Sequence, residues 1–148
     1  MKNFKRQGAQ KPAHLELEEL TDKILGCAIT VHKALGAGHI ESVYHNALVV
    51  ELEKRGLRIE KEKDVKVYYE GKEVGARRID LLVEGMVVLE LKAVRDFDDA
   101  HANQLLSYLR STGMRVGLLL NFAAPTLKIK RFLNPKAAGM PQSGANPR

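Results

Sequence analysis

The stretch Arg77-Arg78-Ile79-Asp80-Leu81-Leu82-Val83-Glu84-Gly85-Met86-Val87-Val88-Leu89-Glu90-Leu91-Lys92 decides how the chain folds. Residues 79–83 are apolar and β-branched around one acid, Glu84-Gly85 interrupts, and residues 87–92 resume the run. That pattern predicts two strands around a turn. Side chains on a strand alternate faces, so Glu90 and Lys92 share one face while Val87, Leu89, Leu91 and Ala93 take the other and enter a core. Whether Asp80 joins Glu90 depends on the turn. A two-residue loop at Glu84-Gly85 sets Leu89 opposite Asp80 and throws Glu90 to the far side. An odd-length loop or a bulge puts Asp80 and Glu90 together. In that register two carboxylates can hold a hard divalent cation through oxygen, and the lysine supplies a point charge for a phosphate or an activated water. Taken alone, E-x-K far more often describes a solvated strand face.

The rest of the chain bounds what such a site could serve. Its 148 residues suit one domain with a real core, and 45% hydrophobic with 28% charged residues is the balance of a soluble globular protein. The single cysteine, Cys27, excludes an intramolecular disulfide or a cysteine-based zinc cluster and fits a reducing cytoplasm. No apolar run approaches membrane-spanning length, and the basic N-terminus meets Glu16, Glu18 and Glu19 before any hydrophobic segment, unlike a secretory signal. The net charge of +6 sits at the ends: residues 1–12 and 124–148 carry basic residues and no acid, leaving the centre weakly acidic. Basic ends can hold a polyanion non-specifically or serve only solubility.

Outward from the central stretch, the hydrophobic period changes. Leu17, Leu20, Ile24, Ala28, Val31 and Leu35 recur at helical steps, with Thr21 as a candidate cap and Gly36-Ala37-Gly38 as the stop. Cys27 and His32 ride on this helix, His32 as a satisfied or solvated residue. A second helix is expected from about Ile40 to Arg55, burying Tyr44, Ala47, Leu48 and Leu52. Strands follow over 57–62, 65–70 and 73–83, an antiparallel meander broken at Lys63-Asp64 and Gly71-Lys72. A third helix near 98–112 buries Ala102, Leu105 and Leu109, and a second stripe of His101, Gln104 and Tyr108 can face one cleft. Residues 115–122 read as a buried strand and 127–133 as a short last one. Residues 1–13 and 134–148 are expected to be disordered flanks of a domain over 14–133.

Asp80, a gap, Glu90-x-Lys92, then Gln104-x-x-x-Tyr108 on the next helix form a joint pattern far more specific than its parts. It resembles the PD-(D/E)XK nuclease superfamily, and the Gln-x-x-x-Tyr addition resembles that superfamily's RecB-like branch. Ile79 stands where the superfamily often has proline. Gly38-His39-Ile40-Glu41-Ser42-Val43-Tyr44 further reads G-x-x-E-x-x-Y. With Val31 to Gly36 and Gly117 to Phe122 it is similar to the GxxExxY protein family, over about residues 20–133.

The resemblance implies an α/β, restriction-endonuclease-like core: a central mixed β-sheet flanked by helices. It implies that Asp80 and Glu90 bind Mg²⁺ or Mn²⁺, with Glu41 as the helix carboxylate that completes the metal site. Lys92 would orient or deprotonate water, and Gln104 and Tyr108 would position the scissile phosphate or the lysine. Without the resemblance, Glu41 is a first-turn acid favoured by the helix dipole, while Tyr44 reads as packing. The resemblance fixes no substrate; the first expectation is metal-dependent phosphodiester hydrolysis, of DNA before RNA. A nucleic-acid-binding or interaction module that keeps the fold without turnover is the alternative, and a homodimer through a strand such as Val65 to Glu70 is a third reading.

Overall fold

The computed structural model describes residues 13–134, with side chains from Leu17 onward. The elements are α1 (Ala13–Leu35), α2 (Glu41–Lys54), β1 (Ile59–Tyr69), β2 (Lys72–Val83), β3 (Val87–Lys92), α3 (Asp99–Thr112), β4 (Val116–Asn121) and β5 (Lys128–Leu133). Helix α1 starts ahead of Thr21, which is therefore no cap. Its buried hydroxyl donates to the Leu17 carbonyl instead. Among the described residues no helix is long and apolar enough to cross a membrane. The expected disordered segments fall mostly outside the described residues, at 1–12 and 135–148.

The sheet runs β1-β2-β3-β4-β5. All neighbours are antiparallel except β3 and β4, which pair in parallel, Val87 with Val116 through Lys92 with Asn121. A parallel pair needs a crossover, and α3 supplies it. Strands β3 and β4 alternate cleanly between two cores. Leu89, Leu91, Leu118 and Leu120 pack under α1 and α2, while Val88 and Leu119 pack under α3 with Leu105, Tyr108 and Leu109. A sheet covered on both faces explains the nearly unbroken apolar run in β4. The layer order is thus the expected α/β arrangement of a mixed sheet flanked by helices.

Two sequence-derived expectations change in β1 and β2. The strands expected over 57–62 and 65–70 are one strand, β1, and the break between them is a local kink at Glu62, whose φ is +48°. Opposite this kink the β1–β2 ladder pairs Lys61 with Leu81 and Lys63 with Ile79 but skips Glu62 and Asp80. The inside–outside alternation slips at the same point. Ile79 joins the core beneath α3, whereas Leu81 joins the core beneath α1 and α2.

The β2–β3 turn has the odd length on which the site depends. Val83 pairs with Val87, so Glu84, Gly85 and Met86 form the loop and Asp80 comes to the level of Glu90. Glu84 and Gly85 both have positive φ, +54° and +66°, and the Met86 amide donates to the Val83 carbonyl. Gly85 adopts this conformation at no steric cost; Glu84 does not. Its carboxylate is held by the Arg58 amide and guanidinium, at 2.6 and 3.1 Å. Those bonds fix a non-glycine residue in the left-handed region, and the Arg58 amide bond keeps the Glu84 carboxyl below its ordinary range.

Asn134, expected in the disordered tail, is buried. Its side-chain amide donates to the Leu109 and Met114 carbonyls at 2.9 and 3.1 Å, tying the end of α3 to the chain beyond β5. Ending the protein after Asn134 keeps these two bonds and gives the reference truncation. Ending it after Leu133 strips two buried carbonyls of a donor and should cost about 1–3 kcal/mol. Urea denaturation of the two truncations checks this, and equal midpoints would refute it.

Candidate active site

The site forms where β2 and β3 part. Their ladder ends at Leu81–Leu89, one step before Asp80 and Glu90 would pair. Asp80 supplies the missing bond with its side chain: Oδ2 accepts from the Leu91 amide at 2.8 Å. Its main-chain carbonyl faces His45 Nε2 on α2 at 3.2 Å. Asp80 is thus fixed at its carboxylate by the Leu91 amide and at its main chain by His45, and among the described residues no bond engages Oδ1. Beyond the split, β3 stays anchored to β4. Phe122 donates its amide to the Lys92 carbonyl, and the buried Asn121 side chain bonds both the amide and the carbonyl of Val94. Lys92 therefore sits on a strand braced on one edge and open on the other.

Helix α3 closes the top. Asp98 and His101 form a reciprocal cap at its start, the Asp98 carboxylate accepting from the His101 amide at 3.0 Å. Gly117 on β4 sets how closely the helix approaches, because a Cβ there would meet Leu105 at 3.0 Å. The result is a cleft of about 270 Å³ whose lining includes Arg77, Asp80, Glu90, Lys92, Gln104 and Tyr108. His101 also lines it, so the stripe of His101, Gln104 and Tyr108 faces one cleft as its helical spacing predicted.

Charge in this cleft is unbalanced in an informative way. Burial, then the neighbouring Asp80 charge, pushes the Glu90 carboxyl up to about 7, although Lys92 opposes the shift. Tyr108 is pushed up to about 12 by burial and by Glu90. Its hydroxyl is buried without a hydrogen-bond partner among the described residues. Two half-buried carboxylates whose mutual repulsion favours a proton are a fitting donor set for a hard divalent cation, which would replace that proton. Among the described residues no three His, Cys, Asp or Glu side chains gather around one point. The protein thus offers two carboxylates, and water would complete the shell, as Mg²⁺ commonly requires.

Glu41 lies elsewhere. It is exposed in the first turn of α2 and lines a second cleft with Ser42, His45, Asn46, Glu62, Asp80 and Leu91. Asp80 alone borders both clefts. Tyr44 is fully buried and stacks on Phe122 with ring centroids 4.6 Å apart. Its hydroxyl donates to the Gly36 carbonyl and accepts from the His39 amide, pinning the loop ahead of α2. His32 is a satisfied core residue, its Nε2 2.8 Å from the Ala124 carbonyl. Sequence reasoning missed His45, Arg77 and Asn121. Each acts through a partner 27 to 35 positions away, and no local period reveals that.

A family model described as the PD-(D/E)XK nuclease superfamily matches residues 18–132. No curated protein sequence matches the chain. Among solved structures, SSO0001 is similar over 64% of this chain and 50% of its own, with a TM-score of 0.50 and 20% identity, a likeness of fold. The alkaline exonuclease LHK-Exo from Laribacter hongkongensis aligns over 57% of this chain and 51% of its own, with a TM-score of 0.42 and 12% identity. The chain spans about half the length of either structure.

Proposed function

The chain belongs to the PD-(D/E)XK nuclease superfamily, and from that premise we propose that it is a metal-dependent nuclease hydrolysing phosphodiester bonds, of DNA in preference to RNA. The observation that carries this reading is the placement of Asp80, Glu90 and Lys92 in one cleft where β2 and β3 part. We further place the chain in the GxxExxY family within that superfamily, acting in the cytoplasm. The motif's own glutamate, Glu41, would support the Asp80 carboxylate from the second cleft.

In this mechanism Asp80 and Glu90 would hold Mg²⁺ or Mn²⁺. Such an ion offsets the negative charge of a phosphodiester and acidifies bound water. Lys92 would orient the attacking water or, as the free amine, take its proton and become the ammonium. Its ammonium also balances charge as phosphorus becomes five-coordinate. Gln104 and Tyr108 on α3 orient the phosphate. The raised Tyr108 pKa keeps its hydroxyl protonated, so it donates throughout the working range.

A panel of duplex, nicked, branched and single-stranded DNA plus RNA, with and without Mn²⁺, tests the reading. Cleavage of one member only with Mn²⁺ is the expected result; tight binding with no cleavage would instead mark a binding module. Tyr108→Phe adds a sharper check. Removing an unpaired buried hydroxyl should leave stability within about 1 kcal/mol of wild type or raise it. Losing a donor aimed at the substrate should lower kcat by about 10- to 100-fold. A strongly destabilised variant would show the hydroxyl to be structural.

A further inference from the structure

The cleft holds one more group that the superfamily pattern does not account for. Arg77 stands on β2 three residues before Asp80, half-buried, and lines the cleft with Glu90, Lys92 and Tyr108. Its neighbour Arg78 is committed, its guanidinium making two bonds to Asp64 at 2.9 and 3.2 Å. Arg77 has one long bond, from Nη2 to the Gln104 carbonyl at 3.3 Å. That carbonyl belongs to α3, so the contact tethers the guanidinium beneath the helix and leaves most of its five donors unengaged among the described residues.

We propose that Arg77 is a substrate-binding residue of this cleft, gripping a non-bridging oxygen of the phosphodiester together with the Tyr108 hydroxyl. Two independent features converge on such an anion. The Tyr108 hydroxyl is a buried polar atom with no partner among the described residues, and Tyr108 lines the same cleft. A buried hydroxyl without a partner is costly unless something else meets it. Arg77 lines the same cleft from β2, with its guanidinium anchored to the α3 backbone one turn before Tyr108. A guanidinium on one side and a phenol on the other suit a non-bridging phosphate oxygen better than a carboxylate, since Asp80 and Glu90 already supply excess acid. Lys92 acts at the water; Arg77 acts at the phosphate.

The inference rests on the nuclease reading for its phosphate, and the test separates the two. Binding of short fluorescent DNA oligonucleotides, single-stranded and duplex, is followed by anisotropy in Ca²⁺ across a salt series. Cleavage of the same oligonucleotides is followed in Mn²⁺. Arg77→Met is expected to weaken binding about 10-fold and to reduce the slope of log Kd against log salt by about one. Its kcat should fall about 100-fold. Arg77→Lys should keep the salt slope and recover only part of kcat, because an ammonium cannot make the paired contact. Lys66→Met, which removes an exposed charge paired with Glu73 outside the cleft, should stay within about threefold of wild type.

Combining Arg77→Met with Tyr108→Phe should cost less than the product of the single losses, since both grip one oxygen. If wild type binds but does not cut, and Arg77→Met still loses affinity and slope, the nuclease reading fails and the Arg77 assignment stands. If Arg77→Met binds and cuts like wild type, the Arg77 assignment is overturned and the nuclease reading stands. A wild-type protein that binds no oligonucleotide overturns both.

Discussion

Lys92→Ala is expected to reduce cleavage by about 10³-fold or more while leaving the fold and cation binding intact. The magnitude is that of removing a positioned acid–base group together with a charge in a confined site. The lysine is half-buried at the end of β3, and the strand around it is held by main-chain pairing with β4 and by Asn121. Its loss should therefore shift the thermal midpoint little. Its two effects on the cation oppose each other. The ammonium favours ionised Glu90 yet repels a second positive charge, so calorimetric Mn²⁺ affinity should stay within a few-fold of wild type. Lys92→Arg separates the two roles. If the side chain must take a proton from water, arginine fails as fully as alanine, since guanidinium stays charged. If charge alone is needed, arginine restores much of the rate. A Lys92→Ala protein that cuts as well as wild type would remove this cleft from consideration.

Glu90 should make the metal-free protein lose stability as pH rises. Its folded carboxyl titrates near 7 against an ordinary 4.5. Folded protein then binds more protons than unfolded protein between those values. By linkage, this stabilising share is complete below about pH 4.5 and is lost as pH passes 7. The amplitude is on the order of 1–3 kcal/mol, given partial exposure and coupling to Asp80. Melts in a chelator from pH 5 to 8 should show the decline against a background set by other groups. Mn²⁺ above pH 7 should reverse it, by about 2.7 kcal/mol at a hundred times Kd. Glu90→Gln is neutral at all these pH values, so its melts should lack the extra decline and the Mn²⁺ response. If Mn²⁺ stabilises Glu90→Gln as it does wild type, the ion binds elsewhere.

The parts of this site legible in the sequence are those set by short-range period. Strand alternation put Glu90 and Lys92 on one face, and helical spacing put His101, Gln104 and Tyr108 on one side of α3. The parity of the β2–β3 turn was not legible. It rests on Glu84 in a left-handed conformation held by Arg58, 26 residues away. A Glu-Gly pair read locally suggests a two-residue turn, which would have dismantled the site. Arg77 was hidden for a related reason: its face depends on register with β1, and the alternation slips between it and the core strands. The strand break read at Lys63-Asp64 was a real irregularity, realised as a kink at Glu62 and not as a turn. Glu41 shows the opposite limit, because spacing alone cannot distinguish one cleft from its neighbour.

The placement of one parallel pair inside an otherwise antiparallel sheet sets an order in time. Strands β1, β2 and β3 are joined by short turns, so their pairing closes small loops and can form early. Strand β3 meets β4 only after α3 has crossed over, a longer closure with a larger entropic cost. Asp80 and Glu90 belong to the early unit; Gln104 and Tyr108 arrive with the late one. A nascent or refolding chain would then pass through a state with its carboxylates paired and no roof above them. On the proposed nuclease reading, cation affinity should reappear before phosphodiester affinity during refolding, because the β3–β4 crossover brings α3 over the carboxylates.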